Sequence, residues 1–289
     1  MFDQAARFVG DDIPANYENG LGPHLFADYA SDLAQRAAAA RPRRVLEIAA
    51  GTGIATRLLR DALPDAASLV ASDLSPAMLK VARRKFGVAE QVEFEKADAT
   101  ALPFADAAFD AVVCQFGVMF FPDKDRAYRE VFRVLAGGGR YHFNVWDSFD
   151  FNPFARITHE TVGRFFPNDA PTFFTVPYGY HRIDPVKVSL IAAGFEDISA
   201  HVIRIRKTVA QARSLALGLI QGTPIIDEIR ARRGAHPAAV TAAVCEALQH
   251  EIGGDRGCVT SQAIVFGARK QCRVTAAGWR RQAPADRLR

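Results

Sequence analysis

The sequence predicts an α/β protein built on one sheet of mostly parallel strands. Three observations carry this. Short apolar runs rich in β-branched residues alternate with helical periodicity from residue 43 to residue 145. The first of these runs, Val45-Leu46-Glu47-Ile48, breaks into the small residues Ala49-Ala50-Gly51-Thr52-Gly53 before a helical pattern resumes, and the next run ends at Asp73. The chain has 289 residues, 49% hydrophobic and 24% charged, which suits one large globular domain or one domain with a cap.

The elements follow in order. Turn formers (Pro14, Asn16, Asn19-Gly20, Gly22-Pro23) punctuate an aromatic start, and a helical pattern then runs from Leu25 to about Ala40, where Pro42 ends it. Strands are expected at 43–49, 67–72, 91–95, 109–114 and 139–145, and helices at 53–62, 76–86 and 124–135. Ser75-Pro76 puts a capping residue before a proline at the first helical position. Gly137-Gly138-Gly139 is expected to end the third of these helices and turn the chain into the fifth strand. After Trp146 the alternation stalls in a Phe- and Pro-rich stretch, then returns as helix 184–193 and strand 197–206. A helical block over 211–250 is broken at Gly222-Thr223-Pro224 and Gly234, and the last strand centres on Ser261–Ala268.

A strand, a small-residue turn and a helix let a ligand approach backbone amides that a Cβ would shield. Asp73, at the end of the second strand, is placed to grip a ribose diol. The spacing leaves two ligands open, a dinucleotide or S-adenosylmethionine. A dinucleotide loop requires G-x-G-x-x-G, and here Gly51-x-Gly53 is followed by Ile54, Ala55 and Thr56. The set formed by Glu47-x-Ala49-x-Gly51-x-Gly53, Asp73, Lys96-Ala97-Asp98-Ala99, Leu102-Pro103-Phe104, Phe109-Asp110-Ala111-Val112-Val113 and Glu130–Gly139 resembles the class I S-adenosylmethionine-dependent methyltransferases. Within them it is most similar to the small-molecule branch that includes the quinone-biosynthesis C-methyltransferases. The resemblance is dense over residues 43–146 and thin elsewhere; Ala49 departs from the glycine many members carry.

The resemblance implies a Rossmann-like seven-stranded sheet, mostly parallel, whose last strand inserts antiparallel, with helical cap insertions. The chain divides accordingly into an N-terminal cap segment (1–42), a cofactor-binding core (43–147), an aromatic-rich cap insertion (148–182), the core continued (183–206), a helical insertion (207–257), the last core strand (258–269) and a basic tail expected to be disordered (270–289). The implied cofactor is S-adenosyl-L-methionine. Glu47 would organise the glycine loop and meet the cofactor's amino group, and Gly51 and Gly53 would admit its methionine portion. Ala49 belongs to the same loop. Asp73 would bind the ribose, Leu74 and Met78 would pack on the adenine, and Asp98 with the Ala99 amide would read the adenine edge. Gln115 could touch the methionine end or the substrate. Tyr17 and Phe26 would close over the cofactor.

Cys114-Gln115-Phe116 lacks the N/D-P-P-Y/F sequence of many amino-group methyltransferases, which favours oxygen or carbon of a small, apolar or aromatic acceptor. Cys114 reads as a small buried residue rather than a nucleophile. Candidate general bases are His24, His159 and His181, with His142 less well placed. Methyltransferases acting on protein or nucleic acid, a non-catalytic binding module and an NAD(P)-dependent oxidoreductase are the competing functions.

Charge and cysteines narrow the setting. The net charge of +4 is concentrated in the tail: from Arg269 onward seven Lys or Arg face one Asp, a net +6 that leaves the body near −2. That pattern does not predict a nucleic-acid groove. No apolar run reaches the roughly 18 residues of a membrane span. The N-terminus lacks a basic start followed by an apolar stretch, so no secretory signal is expected. Four scattered cysteines without a C-x-x-C pair imply a reducing, cytoplasmic setting and no structural metal. A homodimer is a further expectation.

Overall fold

The computed structural model describes residues 8, 12–208, 212–252 and 257–272. Seven strands form one sheet: β1 (Arg44–Ile48), β2 (Ser68–Asp73), β3 (Val92–Lys96), β4 (Phe109–Gln115), β5 (Leu135–Trp146), β6 (Phe195–Thr208) and β7 (Cys258–Lys270), in the order β3-β2-β1-β4-β5-β7-β6. Strands β1 to β5 pair parallel, and β7 runs antiparallel to both β5 and β6. The order reverses at β1, between β2 and β4, which is where open α/β sheets leave a crevice at the strand carboxyl ends.

Alternation along the strands feeds two cores. Val45, Leu69, Ala111, Val113 and Val265 pack with Leu33, Ala34 and Ala37 of α2 (Ala27–Ala38) and Leu59 of α3 (Ile54–Ala62). Leu46, Ile48, Val112, Cys114 and Phe143 face the other way, with Tyr128, Val131 and Val134 of α5 (Lys124–Val134). Helix α4 (Pro76–Arg83) starts where the sequence places it, with Ser75 Oγ accepting from the Met78 amide at 3.4 Å.

Four elements differ from the sequence reading. The turn-rich start contains helix α1 (Ile13–Gly20), followed by a π-helical turn, Gly22–Phe26, that runs into α2. Pro14 sits in the first turn of α1, where its missing N–H costs nothing. The triple glycine does not precede β5 but lies inside it: Leu135 is already extended, and Gly137–Gly139 form a bulge, with the β4 register stepping from Phe109↔Leu135 to Ala111↔Arg140. Strand β6 carries on through Lys207 and Thr208, which pair with Val259 and Cys258, so the helical insertion starts later than residue 207. Lys270 belongs to β7 rather than to the tail, its Nζ donating to the Phe132 and Leu135 carbonyls at 2.7 Å. Residues 273–289 lie outside the described residues.

The expected aromatic insertion folds as α6 (Pro153–Phe165), α7 (Thr175–Gly179) and the turns between them, leading into α8 (Ile183–Ala192). The helical block is α9 (Ala212–Gln221), α10 (Ile225–Arg230) and α11 (Pro237–Ile252). Helix α1 packs on α9 backbone to backbone. A Cβ on Gly20 would stand 2.6 Å from Gly218 Cα, one on Gly218 2.7 Å from the Gly20 carbonyl carbon, and one on Gly222 2.6 Å from the Tyr17 nitrogen. Interiors at crystal density have no slack for such a group. Gly218→Ala is therefore expected to lower stability in urea unfolding by about 1–3 kcal/mol. Gly179→Ala, where a Cβ would meet nothing within 4 Å, is expected to stay within about 0.5 kcal/mol of wild type. Equal effects at the two positions would contradict this packing.

Candidate cofactor and acceptor site

The loop after β1 carries backbone angles that small residues tolerate best. Ala49 has φ +56° and Gly51 +57°. A Cβ on Gly51 would meet nothing within 4 Å, so that position opens onto free space. Its amide donates to Asp73 Oδ2 at 2.8 Å, while Asp73 Oδ1 accepts from the Ser75 amide at 2.8 Å. Asp73 thus ties the loop after β1 to the loop after β2. Burial raises its pKa, and the amide bonds pull the other way. Each carboxylate oxygen has a second lone-pair direction left for a ligand hydroxyl.

These loops surround a cavity at the carboxyl ends of the central strands. Ala49, Gly51, Asp73, Leu74, Met78, Asp98, Ala99 and Gln115 all line it. Asp98 Oδ1 accepts from the Thr100 amide and hydroxyl, both at 2.8 Å, which holds its carboxylate at the loop after β3. Gln115 donates through Nε2 to the Phe26 carbonyl at 3.4 Å and leaves Oε1 buried without a partner.

Two of the residues the sequence grouped here lie elsewhere. Gly53 does not line the cavity. It caps α3 at φ +80°, and a Cβ there would stand 2.9 Å from Ala82 Cβ, so its task is close packing of α3 on α4. Glu47 lies behind the cavity wall, 1% exposed, and the Gly51 amide is held by Asp73 instead. Its Oε2 is buried without a partner, as are the hydroxyls of Thr52 and Thr56 in the same loop and helix start. Burial raises the Glu47 carboxyl from 4.5 to about 8, with Asp73 adding to the rise and Thr56 and Lys85 opposing it.

A second cavity adjoins the first and shares Phe8, Tyr17, Phe116 and Phe120 with it. Phe26, Trp146, Phe173, Phe174 and Tyr178 add to its wall, and among the described residues no Lys, Arg, His, Asp or Glu lines it. Phe116 reaches the junction by a left-handed backbone (φ +51°) that Asn144 Oδ1 fixes by accepting the Phe116 amide at 2.9 Å. Gly117 follows because a Cβ there would overlap Ala49 Cβ and stand 2.8 Å from Cys114 Sγ. Trp146 stacks on Phe116 with centroids 4.0 Å apart and planes 13° apart. The corner after Trp146 is pinned by Asn152, whose Nδ2 donates to the Asp147, Ser148 and Gln262 carbonyls and whose Oδ1 accepts the Gln262 amide.

His24, His159, His181 and His142 line neither cavity. His181 Nδ1 pairs with the Tyr178 carbonyl at 2.9 Å, and His159 stacks on Phe149 at 5.4 Å. Burial and Lys207 lower the His24 pKa, and burial with Arg140 pushes His142 down to about 4. Cys114 is fully buried, its thiol pushed up to about 12. Phe26 lines the second cavity rather than the first, while Tyr17 lines both. Among the described residues no group of three or more His, Cys, Asp or Glu could hold a metal ion, and no helix is long and apolar enough to cross a membrane.

An adenosyl-amino acid fits this donor set. A buried carboxylate faces the strand-end loop, a second acid stands at the third strand, and the unpartnered oxygen of Gln115 suits a cationic amine. Similarity points the same way. The family described as a methyltransferase domain matches residues 45–139. Demethylmenaquinone methyltransferase of Thermus thermophilus is 47% identical over 100 residues, 34% of this chain and 45% of that protein. The ubiquinone/menaquinone biosynthesis C-methyltransferase UbiE of Ectopseudomonas mendocina is 35% identical over 179 residues, 55% of this chain and 67% of that protein. The chain thus spans between about half and two thirds of the length of these curated relatives. Phosphoethanolamine N-methyltransferase 2 of Haemonchus contortus, solved with S-adenosyl-L-methionine, shares the fold: TM-score 0.58 and 17% identity, over 91% of this chain and 57% of that one.

The raised Glu47 pKa has a testable sign. Between pH 4.5 and 8 the folded protein keeps a proton that the unfolded chain releases. Stability therefore falls as pH rises, by up to about 1.4 kcal/mol per unit. Glu47→Gln cannot ionise and escapes this loss. Urea unfolding at pH 5 and pH 8 is expected to show the variant gaining a few kcal/mol on wild type at the higher pH. A pH-independent difference would contradict the burial argument.

Proposed function

This chain belongs to the class I S-adenosylmethionine-dependent methyltransferases, and on that footing we propose that it transfers a methyl group to an oxygen or carbon of a small apolar or aromatic metabolite. The observation that carries the reading is that eight cofactor positions expected from sequence line one cavity, which opens through a shared aromatic junction onto a second cavity free of charge. When bound, S-adenosylmethionine supplies a methyl already activated by its sulfonium. The protein's part is to hold two partners at reacting distance and keep water out, and well-oriented positioning is worth up to about 7–11 kcal/mol.

In this reading Asp73 holds the ribose hydroxyls by charge-assisted bonds. Asp98 and the Ala99 amide take the adenine edge, and Leu74 and Met78 flank the ring. Gly51 leaves room for the amino-acid end, whose ammonium would satisfy the stranded oxygen of Gln115. The second cavity takes the acceptor. Its aromatic lining supports a flat, uncharged molecule over a protein segment or a nucleic acid, which would need an open groove. Among the described residues its wall holds no histidine or carboxylate, which favours an acceptor acidic enough to lose its proton to water. We place the reaction in the cytoplasm, a setting that suits four free thiols. Homodimer is the proposed assembly, supported by Val188 and Ile191 of α8, which leave apolar side chains 65% and 62% exposed.

Calorimetric titration with S-adenosylhomocysteine is expected to give micromolar binding to wild type. Asp73→Ala should weaken it by about 2–4 kcal/mol, or roughly thirtyfold to a thousandfold. NAD should not bind. Tight NAD binding, or undiminished affinity in the variant, would contradict the proposal.

A further inference from the structure

Four aromatic side chains, Phe8, Tyr17, Phe116 and Phe120, are common to the walls of both cavities. They come from three separate parts of the chain, and they meet nearly at right angles where they touch. Phe8 stands edge-on to Tyr17 (6.0 Å, 90°) and to Phe120 (5.9 Å, 78°). Three of them are backed on one face by another ring: Tyr17 by Phe26 (5.0 Å, 20°), Phe116 by Trp146 (4.0 Å, 13°) and Phe120 by Phe173 (5.9 Å, 14°). Among the described residues no Lys or Arg lines either cavity, while Asp73 and Asp98 stand in the first.

We infer that this junction is an aromatic cage for a cation, which makes the site prefer the positively charged methyl donor over its neutral demethylated product. The inference rests on the methyltransferase reading above. It adds a task to rings that would otherwise serve only to exclude water. A ring face presents negative quadrupole to a cation, and a desolvated contact is worth the most. Orthogonal walls let several faces address one point. A methyl in transit between the two cavities passes the residues they share, so the charge carried with it lies against these rings. Once the methyl leaves, the charge is gone and the attraction with it, so product is released more readily than donor.

The test compares three adenosyl ligands on the full-length protein by calorimetry: S-adenosylmethionine, S-adenosylhomocysteine, and sinefungin, whose side-chain ammonium replaces the sulfonium methyl. Wild type is expected to bind the two cations about tenfold more tightly than S-adenosylhomocysteine. Tyr17→Phe keeps a ring and should keep that ratio. Phe8→Leu, Tyr17→Leu and Phe120→Leu keep apolar volume without the quadrupole, and each should bring the ratio to within about threefold of unity. Phe8, Tyr17 and Phe120 are all only partly buried, and three separate variants keep the measurement independent of a folding defect at any one of them. A wild-type ratio near one, or a ratio that survives all three leucine variants, overturns the cage and leaves the methyltransferase reading intact. Loss of the ratio in Tyr17→Phe as well assigns it to the hydroxyl and overturns the cage. Failure of all three ligands to bind wild type overturns both.

Discussion

The Asp73 carboxylate is the joint on which the carboxyl edge of this sheet is assembled. One oxygen takes the Gly51 amide and the other the Ser75 amide, so a single side chain sets the spacing between the loops after β1 and β2. Ser75 extends the joint: its hydroxyl caps α4 through the Met78 amide and donates to the Phe8 carbonyl at 2.8 Å. A buried carboxylate is costly unless amides or charges satisfy it. Here the amides that satisfy it belong to the loops it must hold, so the burial cost is offset by the bonds that shape the cavity.

The cap is built on the same economy of contact. Glycines at positions 20, 218 and 222 let α1 and α9 touch backbone to backbone, and this brings Tyr17 over the cavity. Asn152 spends both ends of its amide on the corner after β5, with Asp147 and Gln262 bonded beside it at 2.8 Å, and so fixes Trp146 beneath Phe116. A polar network that is fully satisfied can be buried without penalty and leaves its neighbours one arrangement. The second cavity is then lined mostly by rings and aliphatic side chains.

Much of the core was legible in the sequence because its signals are local. The strand-loop-helix at Val45–Gly53, the acid at Asp73 and the cap at Ser75 are each spelled within a few residues, and strands alternating with helices imply parallel pairing. Other features were hidden for physical reasons. Gly53 reads as part of a ligand loop, yet what it answers is a left-handed cap and the nearness of Ala82, thirty residues on in a different helix. The bulge within β5 hides behind glycines that also look like a helix stop. The aromatic junction draws on Phe8, Phe116 and Phe120, and phenylalanines that far apart look like ordinary core until the chain brings them together. The histidines were singled out for their chemistry, but chemistry without position places none of them in a cavity wall.

The most direct test of the central claim is a crystal structure with S-adenosylhomocysteine bound. The account predicts both ribose hydroxyls within hydrogen-bond reach of the Asp73 carboxylate, with the Gly51 and Ser75 amides still donating to it and the sulfur lying among the four shared rings. A nucleoside bound away from Asp73, or a carboxylate that must release Gly51 to receive the ligand, would contradict it.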